Sequence, residues 1–159
     1  AAPRLFETFA GETRGRVREF NAQNLTNTAW AFATAGVGAL RLFESVAAEA
    51  LQRIEEFNAQ NLANTIWAFA TAGVAAPRLF ETVASESLRR MADFKPQEMA
   101  NTIWAFATVG VPAPLLFLKI ATESARQIAA FTPQALTNML WGFACIEFPY
   151  RQVFLDLGS

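Results

Sequence analysis

The sequence predicts an all-α protein, a stack of helix-turn-helix units that repeats every 37 residues. Trp30, Trp67, Trp104 and Trp141 recur at that constant step, and so do Phe20, Phe57, Phe94 and Phe131. A fixed period of this length marks a stacked-repeat architecture, in which each unit buries its apolar face against its neighbours. The composition agrees: 53% of the 159 residues are hydrophobic and 17% are charged, so disorder is disfavoured.

The units follow from the punctuation. Residues 1–20 read as the second half of a unit, because "APRLFET" at Ala2 returns at Ala76; the chain is expected to be a slice of a longer array. Complete units then cover 21–57, 58–94 and 95–131, and 132–159 is a final divergent or truncated one. Within a unit, helix A starts after Asn21, Asn58 or Thr132, good N-cap residues, or with Pro96 or Pro133 at its first position. Gly36, Gly73 and Gly110 close it as C-caps, and short turns carrying Pro77, Pro112 and Pro114 follow. Helix B is expected to run without a break over stretches such as "LRLFESVAAEALQRIEEF". It buries Phe43, Val46, Ala47, Ala50, Leu51 and Ile54, with Glu44, Glu49, Gln52, Arg53 and Glu56 facing water. The last unit has Glu147 where the others have the turn glycine.

Helix A differs in pattern. At about 100° per residue, Leu25, Ala29, Trp30, Phe32 and Ala33 cover a broad apolar arc, and Asn24, Asn27, Thr28, Ala31 and Thr34 form a narrow polar stripe. The arc is expected to be the core between repeats, with all four tryptophans packed inside it. The stripe is expected to line the inner surface of the array.

Several function classes drop out on composition. There is no His and a single Cys, Cys145, so disulfides, imidazole chemistry and the usual zinc sites are excluded, and no metal or cofactor is expected. The fourteen acids form no paired constellation, so no enzyme is expected. The longest apolar run, Ile66 to Pro77, is about half of the ~20 residues that span a bilayer, and no membrane insertion is expected. A net charge of −1 supplies no general attraction to nucleic acid.

The core "LANTIWAFATAGV" at Leu62, with its versions at Leu25 and Met99, resembles that of the heptatricopeptide and octotricopeptide repeat families, over the whole chain. The resemblance implies a right-handed α-solenoid, a mitochondrion or plastid as its location, and work on RNA: stabilisation, processing or ribonucleoprotein and ribosome assembly. It implies single-stranded RNA or an rRNA fragment as partner. Neighbouring protein subunits are expected to cover the open ends of the stack. The RAP-type terminal domain of such proteins is missing from the sequence.

Candidate contacts lie mainly on helix A. The asparagine row Asn27, Asn64, Asn101 and Asn138 either bonds a backbone group of the adjacent repeat or offers its amides to base edges. Positions that vary between repeats suit sequence readout better: Asn24, Asn61, Glu98 and Ala135 in the first turn, and Asn21, Asn58, Lys95 and Thr132 three residues before them, although solvent-facing helix starts also suit capping residues. The tryptophans stack bases in principle, but core packing is the stronger expectation. Arginine rows run along helix B, Arg4, Arg41 and Arg78 near its start and Arg16, Arg53 and Arg90 near its end. Most of these suit a solvated surface, the first row paired with Glu7, Glu44 and Glu81 three residues on. The cluster Arg14, Arg16 and Arg18 stands out as a phosphate or subunit contact. Two functions remain open: an RNA-binding solenoid and a protein-interaction scaffold.

Overall fold

The computed structural model describes residues 2–146. The turn at Glu147, Phe154 and the rest of the final unit lie outside the described residues. Eight α-helices follow in order: α1 (Ala2–Arg16), α2 (Ala22–Ala35), α3 (Leu40–Gln52), α4 (Ala59–Ala72), α5 (Pro77–Arg89), α6 (Pro96–Val109), α7 (Pro114–Arg126) and α8 (Pro133–Cys145). Among the described residues there is no strand.

The caps explain where the A helices, α2, α4, α6 and α8, begin and end. Asn21 and Asn24 bond reciprocally, each side chain accepting the other's backbone N–H at 3.1 and 2.8 Å, and Asn58 and Asn61 repeat the arrangement at 3.2 and 2.8 Å. Each pair satisfies two of the orphan donors at a helix start. At α6 only half survives: Glu98 accepts from the Lys95 N–H at 2.6 Å, and Lys95 has no acceptor to return. Gly36, Gly73 and Gly110 take left-handed φ values of 65°, 68° and 73°, the conformation that ends these helices without a Cβ penalty.

The B helices, α1, α3, α5 and α7, stop earlier than their sequence pattern implies. Arg53 (φ −132°) and Arg90 (φ −120°) leave the helical region. A tight 3-10 turn follows each B helix: Val17–Glu19, Ile54–Glu56, Met91–Asp93 and Ile128–Ala130. The tightening swings Phe57 and Phe94 inward to near-complete burial and sets the chain extended for the next N-cap.

Two layers result. Each A helix packs along the next A helix over a long seam, α2 on α4, α4 on α6 and α6 on α8, and neighbouring B helices touch more sparsely. The core is built from Leu25, Leu62 and Ile66 of the A helices and Phe43, Val46, Phe80, Val83 and Phe117 of the B helices. Edge-to-face pairs link the layers, Phe43 on Phe69 at 4.9 Å and Phe80 on Phe106 at 5.1 Å. Each fully buried ring contributes roughly 1.5–3 kcal/mol.

Small side chains let the A helices approach closely at their seams. Ala63, Ala68, Ala100 and Ala105 are fully buried. Gly142 takes the position of Ala68 and Ala105, and a Cβ there would lie 2.3 Å from Ile103 Cγ2 and 3.3 Å from the Ile103 backbone. Thr26 and Thr65 share a buried hydroxyl bond of 3.0 Å across the first seam. In the B layer, Ser87 is fully buried with its hydroxyl unpartnered, where Ala50 stands one unit earlier.

Two substitutions test this packing by chemical denaturation. Gly142→Ala drives a methyl into a β-branched neighbour and is expected to destabilise by about 1–3 kcal/mol. Ser87→Ala removes an unpaired buried hydroxyl and is expected to stabilise by about 1 kcal/mol.

Candidate binding face and inter-repeat clips

On each A helix, residues at steps of four, three and four fall on one stripe. In α2 these are Gln23, Asn27, Trp30 and Thr34. In α4 they are Gln60, Asn64, Trp67 and Thr71, in α6 Gln97, Asn101, Trp104 and Thr108, and in α8 Gln134, Asn138, Trp141 and Cys145. All these positions are exposed or half-buried. The four stripes lie side by side, so the outer face of the A layer carries parallel rows of Gln, Asn, Trp and Thr.

The tryptophans are therefore not core residues. Trp30 is 48% exposed and Trp141 46%, and Trp67 and Trp104 are half-buried. Trp67 and Trp104 lie 6.2 Å apart and Trp104 and Trp141 6.3 Å apart, each pair tilted by 34°. The rings overlap like shingles across the A–A seams, because helices brought together by alanine and glycine leave no room for an indole between them.

Of the two roles the sequence leaves open for the asparagine row, a bond to the backbone of the adjacent repeat and an amide offered to a base edge, the first is not made among the described residues; one bond crosses a seam from side chain to side chain. Asn101 Nδ2 donates to Asn64 Oδ1 at 3.3 Å. Gln23 donates to Asn27 at 2.9 Å and Gln97 to Asn101 at 2.8 Å. These bonds leave amide hydrogens free on Asn27 and Asn64, and Asn138 makes no such bond among the described residues. The glutamine row was missed in the sequence, although its four-fold recurrence at the same step was visible there.

The first-turn candidates serve as caps. Asn61 is buried, holds Asn58 and donates to Gln23 of the preceding repeat at 3.2 Å, so its amide faces no ligand. Asn24 and Glu98 cap α2 and α6, and Ala135 is buried. Lys95 is exposed at the start of α6.

Two of the arginine positions at the end of the B helices belong to a device that joins repeats. Arg53 lies 3.1 Å from Glu49 and donates to the Phe20 carbonyl of the preceding unit. Arg90 repeats this with Glu86 at 3.0 Å and the Phe57 carbonyl. In the next unit Gln127 takes the role, donating to Glu123 at 2.9 Å and to the Phe94 carbonyl at 3.5 Å. Glu49 and Glu86 are buried, against the expectation that Glu49 faces water. Arg16 occupies the same position in the first unit and bonds Glu19 at 2.8 Å, with Glu12 at 3.7 Å. That bond raises the Arg16 pKa and holds the Glu19 carboxylate below its usual value. Arg16 is therefore a tied residue, unlike Arg14 and Arg18.

The other row is free. Arg4, Arg41 and Arg78 are exposed and make no ion pair with Glu7, Glu44 and Glu81 among the described residues. Arg14 and Arg41 line a shallow cleft with Glu44 and Ser45. Within the described A helices there is no Lys or Arg, and Glu98 is their one charged side chain. A cavity of about 420 Å³ lies between the first two A–B turns among Phe32, Gly36, Gly38 and Gly73 and is lined by no titratable side chain. Among the described residues no cluster of acids or Cys is built to hold a metal, and no helix is long and apolar enough to cross a membrane.

The clip and the exposed pairs respond differently to truncation. Arg90→Met leaves the Phe57 carbonyl unpaired and weakens a buried carboxylate contact, and is expected to cost about 1.5–3 kcal/mol. Arg126→Ala breaks an exposed pair with Glu123 and is expected to cost at most about 1 kcal/mol. Equal losses in urea denaturation of the two variants would mean that the clip carries nothing.

A family model described as RESC6, RNA-editing substrate-binding complex 6 protein, matches residues 1–158. The match is to an RNA-associated family, as the core motif implied at the coarse level, and not to the heptatricopeptide or octotricopeptide families. No curated protein matches the chain.

Proposed function

Because the chain belongs to the RNA-editing substrate-binding complex 6 protein family, we propose that it is a non-catalytic scaffold subunit of an RNA-editing assembly in the mitochondrion. The observation that carries this reading is the division of its surface. Free arginines lie on the B layer and its turns, and the A helices offer amides and indoles with no cation, Lys95 standing just before α6. A protein that holds RNA within a larger particle needs a phosphate-contacting edge and a separate face for protein partners.

The B-layer edge is assigned to RNA. Arg14, Arg18 and Arg41 are exposed and lack a carboxylate partner among the described residues, so their guanidinium groups are available to phosphate oxygens. Single-stranded RNA suits this edge because it bends to meet scattered charges. With a net charge of −1, the chain binds RNA weakly by itself and gains affinity inside the assembly. The array winds as a right-handed solenoid, and neighbouring subunits cover the open face of α8, where Leu140 is 70% exposed although its counterparts Ile66 and Ile103 are fully buried. A plastid location has no support from the family.

The test is a salt titration of binding to single-stranded RNA by the unaltered protein and by the triple variant Arg14→Glu, Arg18→Glu, Arg41→Glu. Affinity at low salt is expected to fall at least about ten-fold, and the slope of log K against log salt to shrink by about 0.7 per lost phosphate contact. Unchanged affinity and slope in a folded variant would sink the assignment.

A further inference from the structure

The A-layer face has the spacing and chemistry of a track for an extended polypeptide. Trp67, Trp104 and Trp141 step by 6.2 and 6.3 Å, and an extended chain rises about 6.6 Å for every two residues. Its side chains alternate in direction, so every second one meets the next indole along the row. Beside the indoles, Asn101 Nδ2 donates to Asn64 Oδ1, which leaves the Asn64 amide hydrogens free to donate to a backbone carbonyl. An amide matches a peptide group donor for acceptor, so a row of amides pairs with a backbone regardless of its side chains.

Charge narrows the occupant. The A helices carry no cation to contact phosphate, so the polyanionic backbone of a nucleic acid gains no ion pair there. The indole faces attract cations, and within the A helices no positive side chain repels them. We propose that this face binds an extended segment of a partner protein that carries basic side chains at alternate positions, its backbone on the asparagine row and its cations over the tryptophans. The inference rests on the scaffold reading and goes beyond it by naming the partner chemistry.

The probe is a synthetic peptide alternating arginine and threonine, titrated into the whole chain. Binding is followed by tryptophan fluorescence and by the indole N–H signals in nuclear magnetic resonance spectra. Saturable binding is expected, with shifts at Trp67, Trp104 and Trp141 and at least ten-fold weaker binding to the double variant Asn64→Ala, Asn101→Ala. A peptide alternating glutamate and threonine is expected to bind at least ten-fold more weakly. The indole shifts of the unaltered protein test the face even where the variant fails to fold. Absence of binding, binding that leaves the indoles unshifted, or equal binding of the acidic peptide would overturn the proposal. So would competition by single-stranded oligouridylate for the same indoles, which would make the face a nucleic-acid surface. RNA binding that depends on Arg14, Arg18 and Arg41 is read separately, so either assignment fails without the other.

Discussion

Close approach between neighbouring A helices governs the arrangement of everything else in the molecule. Ala63, Ala68, Ala100 and Ala105 fill the seams, and Gly142 does so where even a methyl group meets Ile103. Bulky side chains on the same helices then have few places to go. Phe69 and Phe106 turn back between the layers, where Phe43 and Phe80 receive them, and Ile103 packs into the seam against the bare face of Gly142. The indoles sit across the seams on the outside, and beside them Asn64 and Asn101 bond to each other because their backbones are close enough for side chains to meet.

The B layer solves a different problem. Its helices touch one another sparsely, so packing alone holds the repeats less firmly there. A carboxylate (buried at Glu49 and Glu86, half-buried at Glu123), a guanidinium or amide donor, and a phenylalanine carbonyl of the preceding unit bridge the gap in three successive units. Such a bonded group sets the register between units with a directional contact. A buried ion pair is weak as a source of net stability, but removing one member is costly. The clips therefore specify one stacking geometry more than they raise the stability of the stack.

Much of the fold was legible in the sequence, because capping and turn chemistry are local. Asn21, Asn58, Gly36 and Gly73 declare helix ends through backbone requirements that no tertiary contact alters. The face of helix A was less legible. A helical projection places Trp30 beside Ala29 and Phe32, and only the distance to the next helix decides whether that flank is covered. Glu49 misled for a similar reason: its projection points outward, and its burial comes from Arg53 folding over it toward the preceding unit. The glutamine row, the clips and the unpaired Arg41 all depend on relations between repeats. Their sequence trace is recurrence at the same step, which does not reveal the partner.

The account rests on the A layer presenting its tryptophans to water and to ligands, and one measurement tests this directly. A soluble paramagnetic agent broadens indole N–H signals according to their accessibility in the folded protein. Strong broadening of Trp30 and Trp141 is expected, with intermediate broadening of Trp67 and Trp104, at agent concentrations that spare the buried backbone amides of α4 and α6. Four indole signals as protected as those backbone amides would place the tryptophans in the core and remove the face on which the functional assignment stands.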